Sequence, residues 1–138
     1  MKKEYILITA IVAIVVIALA VYFLASNSED NNSDNYIDVS AAEAKDLIDN
    51  NQDLVIIDVS PNYDQGHIPG AINYYVGDGS LDDAIPSLDK NKEYLVYCHV
   101  DSAAISGAEK LVNAGFSPVY RLEGNYQAWV DAGYPVET

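Results

Sequence analysis

The sequence predicts an α/β fold: a doubly wound, mostly parallel sheet with helices on both faces, preceded by one transmembrane helix. Three observations carry this. Residues 5–25 form a run of 21 residues without a charge. Two later runs, Leu54-Val55-Ile56-Ile57-Asp58-Val59 and Tyr94-Leu95-Val96-Tyr97-Cys98, are continuously apolar over strand length, as expected for strands covered on both faces. Between and after them the hydrophobic period switches to that of helices, and no internal repeat is visible.

In chain order, residues 1–4 carry Lys2 and Lys3 and read as a short cytoplasmic N-terminus. The run at 5–25, at about 1.5 Å per residue, makes a helix of roughly 32 Å, enough for a hydrocarbon layer of about 30 Å. A cleaved signal peptide is the competing reading, with Ala18-Leu19-Ala20 as a small-residue cleavage site and a secreted product. Signal-peptide cores run only about 7–15 residues, which favours a retained anchor. Basic residues before the span and acidic ones after it hold the N-terminus inside, so the expected protein is single-pass with its domain on the extracytoplasmic side. Residues 26–35, all Ser, Asn, Asp and Glu, read as a polar tether.

The domain occupies 36–138. Ser40-Ala41-Ala42-Glu43 has capping-box spacing, and Ala44, Leu47 and Ile48 follow on one helical face. The 54–59 strand comes next, then a strand over Ala71–Tyr75 and a short helix from Ser80 to Leu88 interrupted by Pro86. After the strand ending at Cys98, residues 103–114 have helical periodicity and stop at Gly115. A strand over Pro118–Leu122 and a last helix over Asn125–Ala132, closed by Gly133, complete the domain. In parallel sheets of this kind ligands bind outside the carboxyl ends of the strands, so Asp58 and Cys98 are expected to face one crevice.

Seven basic against 21 acidic residues leave a net charge of -14. A surface so acidic repels phosphate backbones, and no nucleic-acid partner is expected. A single cysteine excludes an intrachain disulfide, so any role of Cys98 is as a thiol. At a strand end just before a helix, backbone N–H groups and the helix dipole stabilise a thiolate. The bland alternative, that Cys98 is a small buried hydrophobe, stands beside it on physics alone.

Ile57-Asp58-Val59, the block Gly66-His67-Ile68-Pro69-Gly70-Ala71-Ile72-Asn73, Cys98, Ala114-Gly115-Phe116, Val119-Tyr120 and Leu122-Glu123-Gly124 with Trp129 together resemble a single-domain rhodanese. The resemblance covers essentially 36–138. It implies an α/β/α domain that takes a sulfane sulfur from a small donor onto its loop cysteine as a persulfide and passes it to a thiol or other thiophilic acceptor. It further implies that Cys98 is the nucleophile and that His99, Val100, Asp101, Ser102 and Ala103 form the substrate-binding cradle.

The chain departs from that family's pattern as well. Active members often carry Cys-Arg-x-Gly-x-Arg-Ser, whereas here the loop is Cys98-His99-Val100-Asp101-Ser102-Ala103-Ala104, without either arginine. Asp101 is expected to place a negative charge beside the nucleophile and to disfavour its thiolate. His99, if protonated, partly offsets it. A second function is therefore carried alongside the first: a catalytically weak binding or sulfur-sensing module. A cysteine phosphatase of related fold needs a loop arginine for phosphate and is set aside. Asp58 and His67 are supporting residues, His67 fixing its loop by hydrogen bonding. Cys98, His99, His67 and Asp58 show no paired ligand spacing, so neither a metal nor a cofactor is expected. No residue pattern identifies a protein partner.

Overall fold

The computed structural model describes residues 36–138. The expected N-terminus, anchor and tether lie outside the described residues. Among the described residues no helix is long and apolar enough to cross a membrane.

The elements are strand β1 (Ile37–Val39), helix α1 (Ala41–Asn50), β2 (Val55–Asp58), a 3-10 turn (Tyr63–Gln65), β3 (Ile72–Asn73), α2 (Ser80–Ala84) running into a 3-10 turn (Ile85–Ser87), β4 (Tyr94–Tyr97), α3 (Asp101–Asn113), β5 (Val119–Leu122) and α4 (Asn125–Asp131). The five strands form one sheet in the order β1-β5-β4-β2-β3, every pair parallel, with Ile57 opposite Val96 and Leu95 opposite Tyr120. The capping box is present: the Glu43 N–H donates to Ser40 Oγ at 3.3 Å and the Ser40 N–H to Glu43 Oε2 at 2.7 Å.

Alternation along β4 explains both layers. Tyr94, Val96 and Cys98 point to a core shared with Leu81 of α2 and with Ala104, Ala108 and Leu111 of α3. Leu95 and Tyr97 point to the other, with Ala44 of α1 and Trp129 of α4. A strand buried on both faces cannot alternate in polarity, and for that reason the apolar runs are continuous. Each fully buried Val or Leu here contributes about 1.5–3 kcal/mol by transfer from water. Helix α3 lies close on the sheet at Gly107, where a β-carbon would come within 3.0 Å of Val59 Cγ1 and 3.3 Å of Val96 Cγ1.

Three expectations change. β1 is an additional strand; with only Val39 of its three residues buried, it carries no periodic signal and owes its conformation to pairing with β5. β3 is two residues rather than five, because at the sheet edge only Ile57–Ile72 and Asp58–Asn73 pair, and both its residues are exposed. Helix α3 begins at Asp101, two residues before the first periodic apolar position, so Asp101, Ser102 and Ala103 form its first turn and the connection from β4 is only Cys98, His99 and Val100.

Candidate active site

Cys98 follows the last residue of β4 and is 1% exposed, at the carboxyl end of the sheet. Parallel pairing sends β2 and β4 in the same direction, so Asp58, the last residue of β2, ends at the same edge, with Val59 N–H bonded to Tyr97 O at 2.9 Å. The peptide groups of Cys98 are held from α4: its N–H donates to Asn125 Oδ1 at 3.2 Å, and its carbonyl accepts from the Tyr126 N–H at 3.0 Å.

Opposing effects act on the thiol. Burial pushes its pKa up from the ordinary value, and this is the largest effect; the backbone N–H groups of Val100 and His99, directed at the sulfur, pull it down; the Asp58 carboxylate pushes it up again. Burial prevails. The expectation of a thiolate favoured at rest is thus corrected: the cradle N–H groups are where the sequence places them, yet the sulfur is too far from water for them to win. The source of the unfavourable charge is corrected too, since it is Asp58 and not Asp101.

Asp101 is engaged elsewhere. Its Oδ1 accepts from Arg121 Nη1 and, at 3.0 Å, from Asn125 Nδ2. Arg121, in the middle of β5, is 6% exposed; its Nε lies 2.6 Å from Asp38 Oδ1 and its guanidinium 5.5 Å from the centre of the Tyr36 ring. Sequence reasoning found neither Arg121 nor Asn125. A signal for the first was available, because Arg121 is the chain's single arginine and sits within an apolar strand, where a charge requires a partner.

Asp58 is fully buried; one carboxylate oxygen accepts the Ser60 N–H at 2.8 Å and the other has no partner among the described residues. The neighbouring Tyr97 hydroxyl accepts the Ile68 N–H at 2.9 Å, and burial together with the Asp58 charge pushes its pKa up. His99 stacks on Tyr126, with ring centres 4.5 Å apart, and its Nε2 is buried without a partner among the described residues. Val100 is 58% exposed at the mouth, and Ser102 is exposed on the first turn of α3. His67 joins a different assembly: it stacks on Tyr63 at 3.7 Å, its Nδ1 is 3.0 Å from the Tyr63 carbonyl, and its backbone pairs with Glu137. Among the described residues no group of His, Cys, Asp or Glu is arranged to hold a metal ion.

A thiol at the carboxyl edge of the sheet, with an imidazole nitrogen next to it in the chain and a buried carboxylate brought to the same edge by β2, is equipped for nucleophilic exchange at sulfur. Comparison with known proteins points the same way. The rhodanese-like domain family matches residues 40–132. A thiosulfate sulfurtransferase GlpE of Pseudomonas fluorescens is 35% identical over 88 residues, 62% of this chain and 78% of that protein. One of Coxiella burnetii is 34% identical over 96 residues, 68% of this chain and 87% of that protein. Among solved structures, the Alr3790 protein of Anabaena sp. aligns with a TM-score of 0.64 at 29% identity, covering 72% of this chain and 80% of that one. A rhodanese-related protein of Thermoplasma volcanium aligns with a TM-score of 0.63 at 26% identity, covering 74% and 98%.

Proposed function

The chain belongs to the rhodanese-like domain family of sulfurtransferases, and on that premise we propose that it is a membrane-tethered sulfurtransferase or persulfide carrier that accepts and transfers sulfane sulfur on Cys98. The observation that carries this is the placement of Cys98 at the end of β4, at the sheet edge where Asp58 also ends, with α3 beginning three residues later.

In the first half-reaction the Cys98 sulfur, as thiolate, attacks the outer sulfur of a persulfide donor. The donor's S–S bond breaks, its electron pair leaves with the inner sulfur as a thiolate, and that leaving thiolate takes up a proton equivalent to the one Cys98 gave up. The outer sulfur is now bound to Cys98, and as an anion it is held by the loop N–H groups and the positive end of α3. In the second half-reaction an acceptor thiolate attacks this terminal sulfur and Cys98 departs as a thiolate. No oxidant or cofactor enters, since every step exchanges one S–S bond for another.

The raised Cys98 thiol makes deprotonation the costly part of loading, and it is the specific observation behind a second reading, a binding or sulfur-sensing module with slow turnover. Incubating the full chain with thiosulfate, polysulfide or glutathione persulfide and weighing the intact protein tests both. Gain of one sulfur atom, lost again on adding an acceptor thiol and absent in Cys98→Ser, supports the carrier; a sulfur that stays in place with excess acceptor supports the sensor; no gain from any donor refutes sulfur chemistry at Cys98. The tether rests on the uncharged run at 5–25 and its basic-before, acidic-after flanks.

A further inference from the structure

We propose that Asn125 is a positioning residue: its side-chain amide ties Cys98 at the end of β4 to Asp101 at the start of α3, and so holds the loop N–H groups on the Cys98 sulfur. The assignment rests on the reading of Cys98 as the sulfur-accepting nucleophile.

Asn125 is 4% exposed and adopts φ 57, directly after Gly124 at φ 76. A left-handed conformation costs a non-glycine residue about 1 kcal/mol, least for Asn and Asp, and persists only where the surroundings enforce it. Here the strained turn delivers the amide between two elements. Oδ1 accepts the Cys98 N–H at 3.2 Å and Nδ2 donates to Asp101 Oδ1 at 3.0 Å. The next residue, Tyr126, gives its N–H to the Cys98 carbonyl, so both polar groups of the Cys98 backbone end on residues 125 and 126.

Nothing within the loop can do this work. Val100, the N-cap of α3, has an apolar side chain and makes no capping bond. The start of the helix is instead fixed through Asp101, whose carboxylate is anchored by Arg121 to β5 and, through Asp38, to β1. Asn125 is the member of this chain that reaches the nucleophile. With one amide it closes the span from Cys98 to Asp101, within which lie the two N–H groups that favour the sulfur anion.

The single cysteine makes the test direct. In the full chain, the rate of Cys98 alkylation is measured against pH, retention of a polysulfide-derived sulfur is followed by intact mass, and a thermal midpoint is recorded, for Asn125→Asp, Asn125→Gly and the exchange Asn125→Asp with Asp101→Asn. Asp and Gly both tolerate a positive φ, but Asp loses the donor to Asp101 and Gly loses the whole amide. Both variants are expected to raise the alkylation midpoint by about 0.7 pH units, an approximately fivefold loss of thiolate for one hydrogen bond, and to shorten retention of the bound sulfur. The exchange rebuilds the bond in the reverse sense, with residue 101 donating, and is expected to recover part of both readouts relative to Asn125→Asp, the carboxylate now at 125 keeping its own upward effect on the thiol. A purely structural role would lower the thermal midpoint and leave the alkylation midpoint in place. The proposal is overturned by a parental alkylation midpoint in Asn125→Gly, or by an exchange variant as impaired as Asn125→Asp. If Asn125→Asp does not fold, Asn125→Gly decides alone. Should the parent chain take sulfur from no donor, the sulfurtransferase reading falls, while the alkylation comparison still decides the role of Asn125.

Discussion

Arg121 Nη1 lies 2.5 Å from Asp101 Oδ1, so the chain's single arginine is directed at the active-site helix from the sheet rather than from the loop. Its side chain is 7% exposed, whereas the carboxylates that hold it, Asp38 and Asp101, are 45% and 63% exposed. The guanidinium is therefore engaged by two anions of the protein itself. An anionic substrate would have to compete with both.

That occupancy is expected to set substrate preference. Thiosulfate is a dianion, and a site lacking loop arginines, with its nearest guanidinium engaged and Asp58 buried close by, offers it few charge-assisted bonds of about 1.5–3 kcal/mol each. We expect slow loading of Cys98 by thiosulfate and faster loading by polysulfide or a thiol-borne persulfide. Ala103→Arg, which leaves the Asp101 anchor in place, should raise the ratio of thiosulfate to polysulfide loading rates about tenfold, one such bond in magnitude. An unmodified chain that loads thiosulfate faster than polysulfide contradicts the argument.

The raised Cys98 thiol gives stability a definite pH dependence. The folded chain keeps this proton where the unfolded chain has lost it, so the associated stabilisation is complete below about pH 8.5 and disappears as pH rises through the folded-state midpoint. Thermal midpoints of the parent and Cys98→Ala should accordingly converge between about pH 8 and pH 10. A gap that stays constant or widens would show the thiol is not raised.

Asp58→Asn removes the only carboxylate among the described residues that acts on the Cys98 thiol and keeps an oxygen for the Ser60 N–H. The Cys98 alkylation midpoint should fall. An unchanged or higher midpoint would mean that the negative charge reaches the sulfur from elsewhere.

Arg121→Met leaves Asp38 and Asp101 facing each other without a cation. Charged hydrogen bonds to a buried group are lost, and the exposure of both carboxylates tempers the effect, so a destabilisation of about 2 kcal/mol is expected, with Arg121→Lys intermediate. Denaturant unfolding measures it. A loss below about 0.5 kcal/mol would place the pair among surface contacts of little energetic consequence.

For the membrane tether, protease added to intact cells should remove the domain, because the basic residues precede the apolar run. Protection until lysis would reverse the orientation. Release of the domain into the medium without protease would favour cleavage after Ala20.

The order and type of the principal elements were legible in the amino-acid sequence, because burial on both faces of β2 and β4 forces continuous apolar runs and one-faced burial of α1 and α3 forces helical periodicity. The sequence also placed Cys98 at a strand end before a helix, and the Ser40–Glu43 cap, since both depend on residues within a few positions of each other. What surrounds the thiol depends on contacts between elements far apart in the chain. Asp38 meets Arg121 across 83 positions, Arg121 meets Asp101 across 20, and Asn125 reaches Cys98 across 27. Those meetings follow from β1 and β4 both lying beside β5, a strand order that no local period encodes. The sign of the Cys98 shift was hidden for the same reason: the N–H donors are local and legible, while the burial that outweighs them is the sum of two packed layers.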